Sequence, residues 1–355
     1  MNHLRQLLKV AIEQGASDIH ITSGAPPLLR IDGSLVKVRS ADLEPAETKE
    51  LCYSLLTEEQ KSRFEETKEL DFSFGIKGLA RFRANMFYQR GTVAAAVRRI
   101  PVEIPDYKTL GLPQMVGDFT HYHNGLVLVT GPTGSGKTTT LASLIDKINT
   151  EERGHIITIE DPIEYIHAHK KCIVNQREIG YDTWAFKSAL KYVLRQDPDY
   201  CLIGEMRDLE TIETALTVAE TGHLVFGTLH TNSAIQTINR IVSVFDGGQR
   251  DRIRTLLSFV LQGIVSQRLI PGIDGGRVLA VEILVLTPAI RNLIREDKLH
   301  QIYGVMQTGQ NRTGMMTMNQ SLMNLLMKRK IDMKRAFEAS PEPEELDALL
   351  KKAGI

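Results

Sequence analysis

Hydrophobic and polar positions fall into two regimes along the chain. Up to about residue 98, short alternating runs dominate. Leu4, Leu7, Leu8, Ala11 and Ile12 recur at helical spacing, and Ile19 and Ile21 then alternate with polar neighbours in SDIHIT, the pattern of a half-buried strand. LLRIDGSLVKV reads as a hairpin turning at Asp32-Gly33. Residues 46–69 form a charged stretch of helical period with Leu51, Leu55 and Leu56 on one side. DFSFGI and ARFRANMFYQRGTVAAAVRRIP predict further strands. In the second, Arg81, Arg83 and Asn85 project to one face, and Phe82, Ala84 and Met86 to the other. This predicts a small α+β domain with a basic stripe on one sheet face, either a solvated face or a set of arginines offered to a phosphate, on a neighbouring subunit for instance.

Pro101, Pro105 and Pro113, with Gly111, interrupt the periodicity and predict a hinge. Beyond it the pattern is α/β. Apolar runs at 126–129, 155–159, 200–203, 224–229 and 278–286 alternate with helical patterns at 139–148, 184–195 and 209–220, the last capped by Asp208. Such alternation predicts a mostly parallel sheet with helices on both faces. From Ile290 onward the pattern turns mainly helical. The expected organisation is an N-terminal domain at 1–98, a linker at 99–111 and a second domain at 112–355.

The second domain opens on its most informative stretch. The strand 126–129 runs into Gly131, Pro132, Thr133, Gly134, Ser135, Gly136, Lys137 and Thr138, which match G-x-x-x-x-G-K-[ST] at every position, and Thr139 opens a helix. Glycines let backbone N–H groups converge on an anion, and the helix brings its positive end to the same place. Lys137 is expected at the β/γ-phosphates and the Thr138 hydroxyl on Mg²⁺. In open α/β sheets ligands sit beyond the carboxyl ends of strands, where three more polar clusters fall. Glu160 and Glu164 flank Pro162 after one strand, and either could orient and deprotonate a water; Glu164 is favoured. Glu205 follows the next strand, in the place of a Walker B acid, and is expected to act through Mg²⁺-bound water or on the attacking water. His223 and His230 bracket a third strand. His230 is placed to bond the γ-phosphate or Glu164, and Phe226-Gly227 puts a glycine inside that strand where a bulkier residue is expected.

Composition narrows the alternatives. Forty-three basic residues balance forty-three acidic ones, so no global positive charge recommends nucleic acid as a direct partner. No window approaches a membrane span or a signal-peptide core, which predicts a cytoplasmic protein. Cys52, Cys172 and Cys201 lack any C-x-x-C spacing and are expected as reduced core residues. The methionines between 315 and 327 are likewise expected in helical packing.

GPTGSGKTTT, IEDPIEY, IGEMRD and TGHLVFGTLHTNSA, in that order, resemble the Walker A, Asp box, Walker B and His box of the type II/type IV secretion ATPases, and the likeness extends to SDIHIT and the RFR strand. AIRNLIRE at 289–296 is similar to the same stretch in the type IV pilus retraction members. The resemblance implies a RecA-like ATPase domain with a PAS-like N-terminal domain, ATP and Mg²⁺ as ligands, and a homo-hexameric motor for pilus retraction and twitching motility. It implies docking on an inner-membrane platform protein of the pilus machine, with the protein peripheral to that membrane. By the same resemblance Glu164 is the catalytic base and Glu205 the Walker B acid. Arg81 and Arg83 reach the phosphates, with Arg98 or Arg99 as a third, and Arg291, Asn292 and Arg295 serve coupling or subunit contact. Read without it, the last three lie on an amphipathic helix with Ile290, Leu293 and Ile294 packed inward. The rival readings are an assembly or accessory ATPase of the same family, a RecA-like nucleic-acid translocase, and a slowly cycling nucleotide-dependent regulator.

Overall fold

The computed structural model describes residues 2–31, 33–76, 79–100 and 103–354. Asp32 of the expected hairpin turn and Pro101 of the expected hinge lie outside them. The chain divides into two compact units, Met1–Glu103 and Ile104–Ile355.

The first unit contains α1 (Asn2–Glu13), β1 (Asp18–Ile21), β2 (Leu28–Ile31), β3 (Ser34–Lys37), α2 (Pro45–Tyr53), α3 (Glu58–Thr67), β4 (Glu69–Ile76), β5 (Ala80–Gln89) and β6 (Thr92–Ile100). Its strands form an antiparallel sheet in the order β3-β2-β1-β6-β5-β4. The charged stretch at 46–69 is two helices, because Thr57 starts a new one: its hydroxyl accepts the N–H of Gln60, whose side chain accepts the N–H of Thr57. Phe82, Ala84 and Met86 are fully buried, as their alternation with Arg81, Arg83 and Asn85 predicts. Arg99 and Ile100 still belong to β6, opposite Phe82 and Arg81, so this sheet runs two residues past the expected boundary at 98.

The second unit contains α4 (Gln114–Asp118), β7 (Gly125–Thr130), α5 (Lys137–Glu151), β8 (His155–Glu160), β9 (Ile173–Glu178), α6 (Phe186–Val193), β10 (Tyr200–Ile203), α7 (Leu209–Glu220), β11 (Leu224–Leu229), α8 (Ala234–Ser243), α9 (Arg250–Val260), β12 (Leu261–Pro271), β13 (Arg277–Val285), α10 (Pro288–Arg295), α11 (Ile302–Thr313), α12 (Met318–Met327), α13 (Met333–Ala339) and α14 (Pro343–Ala353). The sheet order is β13-β12-β7-β11-β10-β8-β9, parallel except for β13. Tyr107 and Leu112 are buried in the core of this unit, so part of the proline-containing stretch packs on it instead of forming a free hinge. Asp208 caps α7 by accepting the N–H of Thr211 at 2.8 Å. Trp184, expected at the start of a helix, precedes α6 and is 87% exposed.

All three cysteines are free and buried. Burial pushes the thiols of Cys52 and Cys201 up to about 12, and that of Cys172 in the same direction. Among the described residues no helix is long and apolar enough to cross a membrane.

Candidate active site

Every residue of β7 is buried, and the Thr130 hydroxyl bonds that of Ser266 in β12 at 2.8 Å, which fixes the strand end from which the loop departs. Gly131 takes φ +141°, and a Cβ there would stand 2.4 Å from the Gln267 carbonyl and 2.6 Å from Ser135 Oγ. Only glycine fits. Gly136 stands at the N-cap of α5 with no side-chain cap, so the first N–H groups of that helix are left for a ligand. Lys137 Nζ donates to the carbonyls of Gly131 at 2.9 Å and Pro132 at 3.1 Å. Burial lowers its pKa, while the charges of Glu205 and Glu164 act in the opposite direction. Ser135 Oγ is buried with no hydrogen-bond partner among the described residues. Together these features form a cradle built for an anion.

The carboxylates around it divide by burial. Glu160 closes β8 at 6% exposure and accepts the Thr158 hydroxyl at 2.6 Å and the Gln176 amide at 3.2 Å. Burial pushes its pKa up to about 7, against those hydrogen bonds. Glu164 is exposed at the far end of the turn, within electrostatic reach of Lys137, and its neighbour Tyr165 bonds the Thr139 hydroxyl at 3.1 Å. Of the two candidate bases, Glu164 is therefore the one open to a water, and Glu160 lies beneath it.

Glu205 is bound by Arg207, with Nε–Oε1 at 2.5 Å, and His230 Nε2 stands 3.0 Å from the same oxygen. Burial opposes its ionisation, but Arg207, His230 and Lys137 outweigh that and hold the pKa below the ordinary value. His230 thus meets Glu205 and not Glu164, because β11 lies beside β10 in the sheet, while β8 is one strand further away. His223 is structural, its Nδ1 lying 3.1 Å from the Val218 carbonyl. Gly227 has a packing reason after all: a Cβ there would stand 2.6 Å from Met206 Sδ, so the glycine makes room for the residue that follows Glu205.

The remaining predicted residues are on β5 and β6 of the first unit and on α10 of the second. Arg81 and Arg83 are on β5 of the first unit; Arg83 stands 3.9 Å from Asp71 and opposite Arg98, which is bonded to Asp18 at 2.7 Å. The register puts Arg98 on the face of the stripe and Arg99, opposite Phe82, on the other. On α10, Ile290 and Ile294 are buried and Leu293 partly so, as the amphipathic pattern predicts. Arg291 donates to the carbonyls of Ser258 and Phe259 and to Gln262, tying α10 to the end of α9. Arg295 lies over the ring of Phe259 and bonds Asn292, which bonds Glu296.

A cavity of about 540 Å³ adjoins the phosphate loop at 132–135 and is lined further by Asn232, the end of β12 from Arg268 to Pro271, and α13 with Arg335 and Ala339. Sequence reasoning missed it, since these segments lie about a hundred residues or more downstream of the motif. Arg268 in an otherwise apolar strand end was the available signal.

The chain matches the family described as type II/IV secretion system protein over residues 1–275. It is 49% identical over 341 residues to the type IV pilus retractation ATPase PilT of Pseudomonas aeruginosa, covering 96% of this chain and 99% of that protein. It is 46% identical over 317 residues to the twitching motility protein of Neisseria gonorrhoeae, covering 87% and 84%. Among solved structures, the pilus retraction motor PilT with bound ADP matches with a TM-score of 0.92 at 57% identity, covering 97% of this chain and 98% of that one.

Proposed function

The chain belongs to the type II/IV secretion system protein family, and we propose that it is an ATP-hydrolysing motor that retracts a type IV pilus and so powers twitching motility. The observation that carries this reading is the likeness over nearly the full length of both chains to a pilus retraction ATPase, in a protein whose phosphate cradle, acids and histidine converge at one sheet end.

The chemistry follows from the site. Lys137 leaves the Gly131 and Pro132 carbonyls for the phosphates, and the free N–H groups of α5 hold the β-phosphate. The donors suit a hard cation arriving with ATP: the Thr138 hydroxyl is half-buried at the first turn of α5, and Glu205 is held ionised. Mg²⁺ bound there would supply neutralisation of the phosphate charge. Glu164 takes the proton of the attacking water, and His230 steadies Glu205. The nucleoside lies in the cavity beside Arg268 and Arg335. In this reading the protein works in the cytoplasm as a homo-hexamer on an inner-membrane platform protein. Arg81 and Arg83, with Arg98, deliver positive charge to a neighbour's phosphates, while Arg291, Asn292 and Arg295 couple hydrolysis to movement.

Cells lacking the protein, and cells carrying Lys137→Ala, are expected to show abundant surface pili without surface motility. Bald cells would indicate an assembly ATPase, and unchanged pili and motility would remove the retraction reading.

A further inference from the structure

Beneath Glu164 lies a pair of buried carboxylates that the chemistry above does not use. Glu160 and Glu178 stand opposite each other at the ends of β8 and β9, at 6% and 2% exposure. Apolar residues at these strand ends would pack without the desolvation that a carboxylate pair incurs. What the carboxylates add is hydrogen-bond acceptance. Glu178 Oε2 accepts the main-chain N–H of Ile163 at 3.3 Å, and Glu160 Oε1 accepts the Gln176 amide at 3.2 Å. Gln176, two residues before Glu178 on β9, extends the pattern by donating to the Tyr165 carbonyl at 2.8 Å and accepting the His167 N–H at 2.8 Å. The turn that carries Glu164 is therefore held on both sides of that residue, at Ile163 and at Tyr165, by side chains of β9.

We propose that Glu160 and Glu178 are positioning residues, which aim the Glu164 carboxylate at the attacking water, Glu178 by holding the Ile163 N–H and Glu160 by holding the Gln176 side chain that binds the Tyr165 carbonyl. The inference rests on Glu164 being the base. A base displaced by about 1 Å loses up to ~10²-fold in rate, because the water must be held in line as it is deprotonated. The clamp belongs to the turn and not to the phosphate cradle, so its loss falls on kcat and leaves nucleotide binding alone.

The test is steady-state ATP hydrolysis by the full chain carrying Glu160→Ala, Glu178→Ala, Glu178→Gln or Glu164→Gln, with folding checked by thermal unfolding. The alanine variants are expected to lose about 10- to 100-fold in kcat with KM for ATP within about twofold of the parent. Glu178→Gln keeps an oxygen that accepts the Ile163 N–H, and it is expected to restore kcat to within about threefold. A rise in KM with kcat intact, or equal loss in the Gln and Ala variants, would overturn the proposal. Full activity of Glu164→Gln would remove the base itself, whereas an inactive Glu164→Gln beside fully active Glu160→Ala and Glu178→Ala would remove only the clamp. Hydrogen exchange on the unmodified protein tests the clamp without relying on any variant's folding. The amides of residues 163 and 167 are expected to be protected, and exchange at open-loop rates would refute it.

Discussion

Glu160 and His167 sit on either side of the Gln176 side chain, which donates to the first and accepts the main-chain N–H of the second. Burial moves their pKa values in opposite senses on the protonation scale, Glu160 from 4.5 up to about 7 and His167 from 6.5 down to about 4. Folded Glu160 binds a proton that the unfolded chain releases, so its contribution to stability is full below pH 4.5 and is lost as pH rises through 7. Folded His167 refuses a proton that the unfolded chain takes, so its contribution is full above pH 6.5 and is lost as pH falls toward 4. The charge of Glu164 acts on the first, and those of Asp146 and Lys170 on the second. At about 1.4 kcal/mol per pH unit where a group differs fully between states, each changes stability by about 2 kcal/mol between pH 5 and pH 7, with opposite sign. In the parent protein the two nearly cancel. Glu160→Gln should make stability rise by about 2 kcal/mol relative to the parent on going from pH 5 to pH 7, and His167→Gln should make it fall by as much. Any constant offset from altered hydrogen bonding leaves these slopes alone. Urea unfolding followed by circular dichroism at several pH values measures them. Parallel pH dependence in all three proteins would refute the reasoning.

Two glycines next to packed side chains predict unequal costs. A Cβ at Gly263 would stand 2.2 Å from the fully buried Phe119 ring, whereas one at Gly227 would meet the movable sulfur of Met206 at 2.6 Å. Gly263→Ala should therefore cost about 3 kcal/mol and Gly227→Ala about 1 kcal/mol in urea unfolding, and the reverse order would contradict the packing argument. Lys137→Ala should abolish measurable ATP turnover and leave the unfolding midpoint within a few degrees of the parent, because the ammonium holds only two loop carbonyls in the unliganded protein. Glu205→Gln should lower kcat by about 10²-fold or more at saturating Mg-ATP, since the amide lacks the charge that Arg207 and His230 face; a smaller loss would remove it from the reaction.

Elements whose residues are buried on both faces were the legible ones. β7, β10 and β11 read as unbroken apolar runs, and the glycine motif located the tight loop between β7 and α5 because its spacing is a direct image of backbone geometry. β9 and β12 carry no such pattern. IVNQRE is an edge strand whose polar side chains reach back to hold the stretch from Ile163 to His167, and β12 buries Ser266 and Gln267 in hydrogen bonds to Thr130 and Thr140. Polar residues that work inside a fold look like loop when read along the chain. For the same reason Glu160 could be read only as a competitor for Glu164: burial, which separates their roles, depends on β9 and Gly204 packing against it. Arg207 as the partner of Glu205 was hidden by its place between a strand end and a helix cap.

The state of the cysteines has a practical consequence. Alkylating reagents attack the thiolate, and burial keeps Cys52, Cys172 and Cys201 protonated and out of reach at neutral pH. The folded protein is thus chemically silent toward maleimides. Cysteines placed on the surface of each unit would be the sites to take a donor and an acceptor dye, and movements could be followed by energy transfer without first rebuilding the core of either.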